Sequence, residues 1–261
     1  MATSSDKKIR VHGSAAAGGR KTALIPGGAR GIGRALAIRL AAEGWAIAVC
    51  YRKNDRAAGV LRKELKALGA AAWVARADVS KPDVAEKLVR DTEKRFGRID
   101  ALINCVGAYR RAPLLEETAG DWLSMFDGNL HPVFYLCRAA SHGFIRRGWG
   151  RIVNFGMVNA GQQIAQPYIT AHYIAKAGVI VLTRSLAKAL APYGVTANVI
   201  SPGFIDSGGV PQEELALSFK NIPAGYMGSP DDVVSAVCWL LSEDARYVNG
   251  ANIQISGAWG I

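Results

Sequence analysis

Residues 22–33 read Thr22-Ala23-Leu24-Ile25-Pro26-Gly27-Gly28-Ala29-Arg30-Gly31-Ile32-Gly33. A short apolar run, a glycine-rich bend and the start of a 3.6-period segment follow one another without a break. The glycines at 27, 31 and 33 let the chain turn sharply and bring its backbone close to a pyrophosphate. The helix that opens there offers free N–H groups and the positive end of its dipole. A glycine triplet alone is a weak signal, but one that leaves a strand and enters a helix marks a dinucleotide site. Gly27, Arg30, Gly31, Ile32 and Gly33 are therefore expected to hold a cofactor's phosphates.

Working outward, the same alternation repeats. Apolar runs at 46–51, 71–77, 99–104, 151–155, 195–200 and 251–256 read as strands, and amphipathic stretches near 54–68, 81–96, 119–147, 168–192 and 230–242 read as helices. Short apolar strands alternating with helices make βαβ units and a parallel sheet covered on both faces. The expected fold class is α/β: a single-domain, doubly wound parallel sheet, the Rossmann fold, over residues 21–261. Its ligand should lie beyond the carboxyl ends of the strands. Residues 1–20 are small, polar and glycine-rich, and read as a flexible basic N-terminal extension.

Composition narrows the function. Half of the 261 residues are hydrophobic, enough for a large core. No apolar run reaches the ~20 residues of a membrane span, and the first 20 residues hold no apolar secretory signal region; four scattered cysteines that read as reduced thiols make the cytoplasm the expectation. The 32 basic and 21 acidic residues leave +11, which favours anionic partners. Lys7, Lys8, Arg10, Arg20 and Lys21 cluster near the start, and the rest of the charge is dispersed. No basic and aromatic residues interleave as a nucleic-acid groove would need, so no specific nucleic-acid partner is expected. Cys50, Cys105, Cys137 and Cys238 lie far apart without metal-ligand spacing and read as buried thiols. No metal site is expected.

The spacing G-x-x-x-G-x-G, together with several later segments, resembles the short-chain dehydrogenase/reductase family, and the resemblance covers essentially all of 21–261. Asp78-Val79 resembles the family's acidic position after the third strand, which implies contact with adenine. Asn104-Cys105-Val106-Gly107 resembles its N-N-A-G motif, with Asn104 and Gly107 at the cofactor. Asn129 matches the helix asparagine that positions a proton-relay water. Pro202-Gly203-Phe204-Ile205-Asp206-Ser207 resembles the P-G-x-x-x-T segment, which implies that Pro202, Gly203, Ile205 and Ser207 lie beside the nicotinamide. Pro26 departs from the family's threonine and removes a backbone donor.

The cofactor expected is NADP(H). NAD-binding folds usually carry an acid at the end of the second strand for the ribose 2′-hydroxyl. Here that end reads Cys50-Tyr51-Arg52-Lys53-Asn54, with no carboxylate before Asp55. Arg52 can pair with a 2′-phosphate, and Arg30 can pair with it and stack on adenine.

Reducing a ketone leaves an alkoxide that must be protonated. The family uses Tyr-x-x-x-Lys on one helix, where residues four apart share a face, and a serine after the fifth strand. Here the helix reads Thr170-Ala171-His172-Tyr173-Ile174-Ala175-Lys176, so His172 stands four before Lys176 and Tyr173 only three. A one-residue step turns a helical side chain by ~100°. The serine is missing too: Phe155-Gly156-Met157 stands at its place, with Asn159 or Thr170 as other polar candidates, and the loop before the helix is longer than the family's. Three readings follow. Tyr173 is the acid after a local backbone shift; or His172 replaces it, with a pKa depressed by the adjacent lysine; or the fold binds cofactor with slow or no carbonyl chemistry. Lys176 keeps a role on the nicotinamide ribose in all three.

By resemblance, the expected activity is carbonyl reduction or alcohol oxidation. The implied substrates are a 3-oxoacyl thioester or a similar ketone. The alternative is a nucleotide-binding sensor or partner subunit. A lid is expected over 208–228, with a short apolar helix around 212–220. The resemblance also implies a homo-tetramer or dimer. Its contacts would be the helices near 119–147 and 168–192 and the last strand with Ala258-Trp259. Small residues at Ala171, Ala175, Ala187 and Ala191 would allow close helix approach.

Overall fold

A computed structural model describes residues 19–206 and 221–261. The helix expected at 212–220, and Ser207 with it, lie outside the described residues. Seven strands form one sheet in the order β3-β2-β1-β4-β5-β6-β7: β1 Thr22–Pro26, β2 Ala46–Tyr51, β3 Ala72–Arg76, β4 Ala101–Asn104, β5 Gly150–Phe155, β6 Val195–Pro202 and β7 Asn252–Ile255. Every pairing is parallel. The helices are α1 Gly31–Ala42, α2 Asp55–Ala67, α3 Pro82–Phe96, α4 Ala119–Asn129, α5 His131–Arg147, α6 Thr170–Leu190 and α7 Pro230–Leu241.

The period-2 geometry of the strands splits their side chains between two cores. Ile25, Ile47, Ile103 and Val153 point to one face, where Leu36 and Leu40 of α1, Leu61 of α2 and Val233 and Val237 of α7 cover them. Leu24, Ala48, Leu102 and Ile152 point to the other, under Val89 of α3, Leu136 and Phe144 of α5 and Val179 of α6. β1 and β2 are buried along their whole length, which accounts for their unbroken apolar sequences.

The order places β1 and β4 side by side, with the chain winding outward in opposite directions from each. This is the switch point at which loops diverge and a crevice opens beyond the strand ends. The helical stretch expected at 119–147 is two helices. Leu130 ends α4 and precedes α5, and Pro132 sits in the first turn of α5, where its missing N–H costs nothing. The last strand stops at Ile255, and Ala258 and Trp259 lie in the turns beyond it. Ala171, Ala175 and Ala187 are buried in the chain's own core, whereas Ala191, just past α6, is exposed; the large apolar residues that α6 shows to solvent are Ile174 and Val181, 41% and 61% exposed.

Candidate active site

The loop after β1 is built by close packing. Gly27 has φ +77°, and a Cβ there would stand 2.6 Å from the Cys105 carbonyl oxygen at the end of β4. A Cβ on Gly33 would meet Gly28 Cα at 2.8 Å and Cys105 Cβ at 3.1 Å. Only hydrogen fits at either place, so these two glycines let the β1 loop lie against β4 and α1 lie against the loop. Arg30 is the N-cap of α1 and makes no side-chain cap, and no acid stands in the first turn. The positive end of α1 therefore meets the β1 loop with no acid in its own first turn.

At the end of β2, Tyr51 Oη donates to Asp55 Oδ1 at 2.8 Å. Arg76 Nη1 approaches the same carboxylate at 3.9 Å. Asp55 is thus engaged with the protein itself. Arg30 and Arg52 form no ion pair among the described residues. Asp78 follows β3 and accepts from the Ser80 N–H at 3.2 Å, and Val79 behind it is buried.

A second group of residues converges at the ends of β4 and β5. Lys176, on α6, is buried and donates from Nζ to the Phe155 carbonyl at 2.9 Å. Burial pushes its pKa down to about 8, an effect the neighbouring Cys105 partly opposes. Gly107 leaves the ground beside it open, since a Cβ there would lie 3.7 Å from Asn129 Oδ1 and 4.0 Å from Lys176 Nζ. His172, one helical turn before Lys176, is buried, and its Nδ1 sits 2.9 Å from the Ala108 carbonyl oxygen. The Tyr109 ring packs edge-on against it at 5.2 Å. Burial, and after it the charge of Lys176, pull the His172 pKa down to about 4, against the bond to Ala108. Asn104 ties the strand ends together by donating to Asn154 Oδ1 at 2.7 Å.

Tyr173 faces elsewhere. Its hydroxyl donates to the Asn159 carbonyl at 2.8 Å and accepts from the Ile164 N–H at 3.1 Å, which fastens the loop between β5 and α6. Its ring lies in a small cluster with Ala160, Ile180 and Val199, joined by Met157. A side chain at Gly156 would run into Ser201 Oγ at 2.5 Å. The Thr170 hydroxyl is spent on the Gln166 carbonyl at 2.7 Å. Asn159 has φ +59° and keeps its Oδ1 buried without a hydrogen-bond partner. At the end of β6, Gly203 donates to the Ile255 carbonyl at 2.9 Å, and Ile205 bridges Gly228.

The sequence model of a family described as enoyl-(acyl carrier protein) reductase matches residues 27–258. The chain belongs to the short-chain dehydrogenase/reductase family. It is 34% identical over 246 residues to the Staphylococcus aureus 3-oxoacyl-[acyl-carrier-protein] reductase FabG, spanning 91% of this chain and 97% of that one. It is 34% identical over 238 residues to the Synechocystis 3-oxoacyl-[acyl-carrier-protein] reductase, spanning 91% and 96%. Among solved structures, a dehydrogenase/reductase from Sinorhizobium meliloti superposes with a TM-score of 0.84 at 33% identity, over 91% of this chain and 94% of that one. A putative gluconate dehydrogenase from Agrobacterium tumefaciens gives 0.84 at 31%, over 92% and 95%.

For a short-chain dehydrogenase/reductase, the mouth of this site carries groups that the sequence reading passed over. Arg111 stacks on the Tyr168 ring at 4.8 Å, and Arg110 pairs with Asp121 at 3.1 Å. Tyr109 and Leu115 are largely exposed. Only the run Tyr109-Arg110-Arg111, straight after the N-C-V-G segment, hints at this in the sequence. Among the described residues no three His, Cys, Asp or Glu side chains converge as metal ligands, and no helix is long and apolar enough to cross a membrane.

Proposed function

We propose that this chain is an NADP(H)-dependent oxidoreductase of the short-chain family that interconverts an alcohol and a ketone, with His172 and Lys176 as its polar pair. The observation that carries the reading is the convergence of His172, Lys176, Asn129 and the open ground at Gly107 beside an uncapped helix N-terminus. The phosphates would lie along Gly27, Gly31, Ile32 and Gly33. Asp78 and Val79 would flank the adenine, and Asn104, Gly107, Pro202, Gly203 and Ile205 would line the nicotinamide side. Arg30 and Arg52, free of ion pairs among the described residues, suit the 2′-phosphate. When bound, the nucleotide supplies or accepts hydride. The chain's own residues position the substrate oxygen, handle its proton and exclude water.

Lys176 suits the nicotinamide ribose: its ammonium sits at the floor of the crevice, held by the Phe155 carbonyl. His172 lies on the same face of α6. The names of the relatives favour a 3-oxoacyl thioester or a related ketone as substrate. The Arg110–Arg111 rim and the net charge of +11 suit an anionic one. We also assign the chain to the cytoplasm and to a homo-tetramer or dimer. Phe134 and Ile145 on α5 join Ile174 and Val181 on α6 as exposed apolar residues. A monomer in sedimentation would contradict that assembly.

The test of the cofactor reading is a titration of the protein with NADPH and NADH, repeated on Arg52→Asp. NADPH is expected to bind the parent more tightly, and the variant to lose at least about tenfold, roughly one charge-assisted phosphate contact. Equal affinity for both nucleotides in the parent would refute the preference. The test of turnover is nucleotide oxidation against a panel of ketones and thioesters. Tight binding with no turnover on any of them would point to the sensor or partner role.

A further inference from the structure

His172 is more constrained than a replacement side chain needs to be. Its Nδ1 faces the Ala108 carbonyl at 2.9 Å, and a carbonyl only accepts, so the ring proton resides on Nδ1. That carbonyl does not drift. Asn129 Nδ2 donates to it at 2.9 Å and to the Met125 carbonyl at 2.8 Å, while Asn129 Oδ1 accepts from the Ala108 N–H at 3.3 Å. The amide orientation of Asn129 is thereby determined, because turning it over would set its oxygen against two carbonyls. The neutral ring then carries its lone pair on Nε2, which no described residue engages by a hydrogen bond. The groups facing the ring are the Tyr109 ring from the loop after β4, Asn129 of α4 through Ala108, and Lys176 on α6 with Cys105 beside it. No described carboxylate pairs with it.

We propose that Asn129, acting through the Ala108 carbonyl, locks His172 as the Nδ1–H tautomer. Nε2 is then the resting proton acceptor of the site, so this enzyme starts from the base form where a tyrosine site starts from the acid form. The proposal rests on the functional reading above. In alcohol oxidation the O–H proton passes to Nε2, the freed electron pair becomes the carbonyl π bond, and the hydride leaves for the oxidised nicotinamide nucleotide. The imidazolium then returns its proton to solvent. In reduction the order reverses, and the ring must first take a proton from solvent before it can give one to the alkoxide. The overall equilibrium is untouched; what changes is the resident protonation state. Burial and Lys176 both oppose the imidazolium, which keeps its population small at neutral pH. Asn129 is thus a positioning residue, and His172 the group that meets the substrate.

The experiment is nitrogen NMR of the full chain with ¹⁵N-labelled histidine, without nucleotide, across about pH 5.5 to 7.5. His172 is expected to show a protonated Nδ1 and a bare Nε2 throughout. Asn129→Ala is expected to mix the two tautomers and, by loosening the bond to Ala108 that favours the imidazolium, to lower the titration midpoint further. A proton on Nε2 in the parent, or a parent midpoint above about 6, would overturn the proposal even if the variant does not fold. Over the same range, reductive kcat/KM should fall about tenfold per pH unit while oxidative kcat/KM stays level, and Asn129→Ala should shift the reductive limb toward lower pH. A level reductive profile would equally overturn it. Because the NMR needs no nucleotide, a failed tautomer and a failed NADPH titration are separate results.

Discussion

On the proposed reading, the residue at position 172 sets which acid the site uses. A phenol there would sit one turn from the Lys176 ammonium and could donate its proton at neutral pH, whereas the imidazole present is neutral and already bonded to Ala108. His172→Tyr is therefore expected to raise the reductive rate at pH 7 by about tenfold or more and to flatten its dependence below neutrality, since a positioned general acid contributes ~10²–10⁴. NADPH consumption with one fixed ketone measures this, and an unchanged rate would mean that the proton is handed over elsewhere. Tyr173 bears on a different quantity. Its hydroxyl spans Asn159 and Ile164, so Tyr173→Phe should lower stability by about 1–3 kcal/mol in a denaturant titration, from one lost bond and one stranded N–H. Turnover should stay within about twofold; a collapse of activity with stability intact would return Tyr173 to the chemistry. The sequence shows which residue shares the Lys176 face, because a helix has a known period. It cannot show where Tyr173 turns, because that depends on the path of residues 156–169, a loop with no periodicity to read.

The elements were legible in the sequence to within a residue or two wherever an apolar run met a glycine or a cap. β1 and β2 lie at 22–26 and 46–51, where their apolar letters put them. The break between α4 and α5 was not, although Pro132 was in view. Only Leu130 separates the two helices, and so small an interruption hardly dephases an amphipathic pattern. On the proposed reading, the glycine bend is the element whose rigidity matters most to nucleotide binding. Gly27→Ala would force a Cβ into the Cys105 carbonyl at 2.6 Å and into a backbone with φ +77°. It should cost roughly 1–3 kcal/mol from the dihedral alone, and more as β1 and β4 separate. NADPH affinity should fall more than about tenfold, because the bend and the N-terminus of α1 move together. Calorimetry of the variant checks both, and an alanine tolerated with full affinity would show that this loop does not set the nucleotide site.

Across the whole molecule, the buried titratable groups leave a mark on stability. The folded state holds His172 at about 4 against an ordinary 6.5. Between those values the unfolded chain binds a proton that the folded chain refuses, so stability is full above about 6.5 and is lost as the pH falls toward 4. The limit for such a shift is about 3 kcal/mol at ~1.4 kcal/mol per unit. On the alkaline side the signs differ. Burial raises Cys50, Cys105 and Cys137 from 9.0 to about 12, so the unfolded chain ionises first and stability declines as pH climbs past 9. Lys176, lowered from 10.5 to about 8, adds stability as pH rises between those values, but one lysine stands against three thiols. The expected profile is therefore a plateau between about 6.5 and 9 with a loss on either side. Urea titrations of the parent and of His172→Gln at pH 4.5 and 7 isolate the acid limb. The variant lacks the imidazole, so it should lose less stability than the parent between the two values. Equal losses would mean that the folded state accepts the proton on His172 as readily as water does, and the ring would then be no resting base.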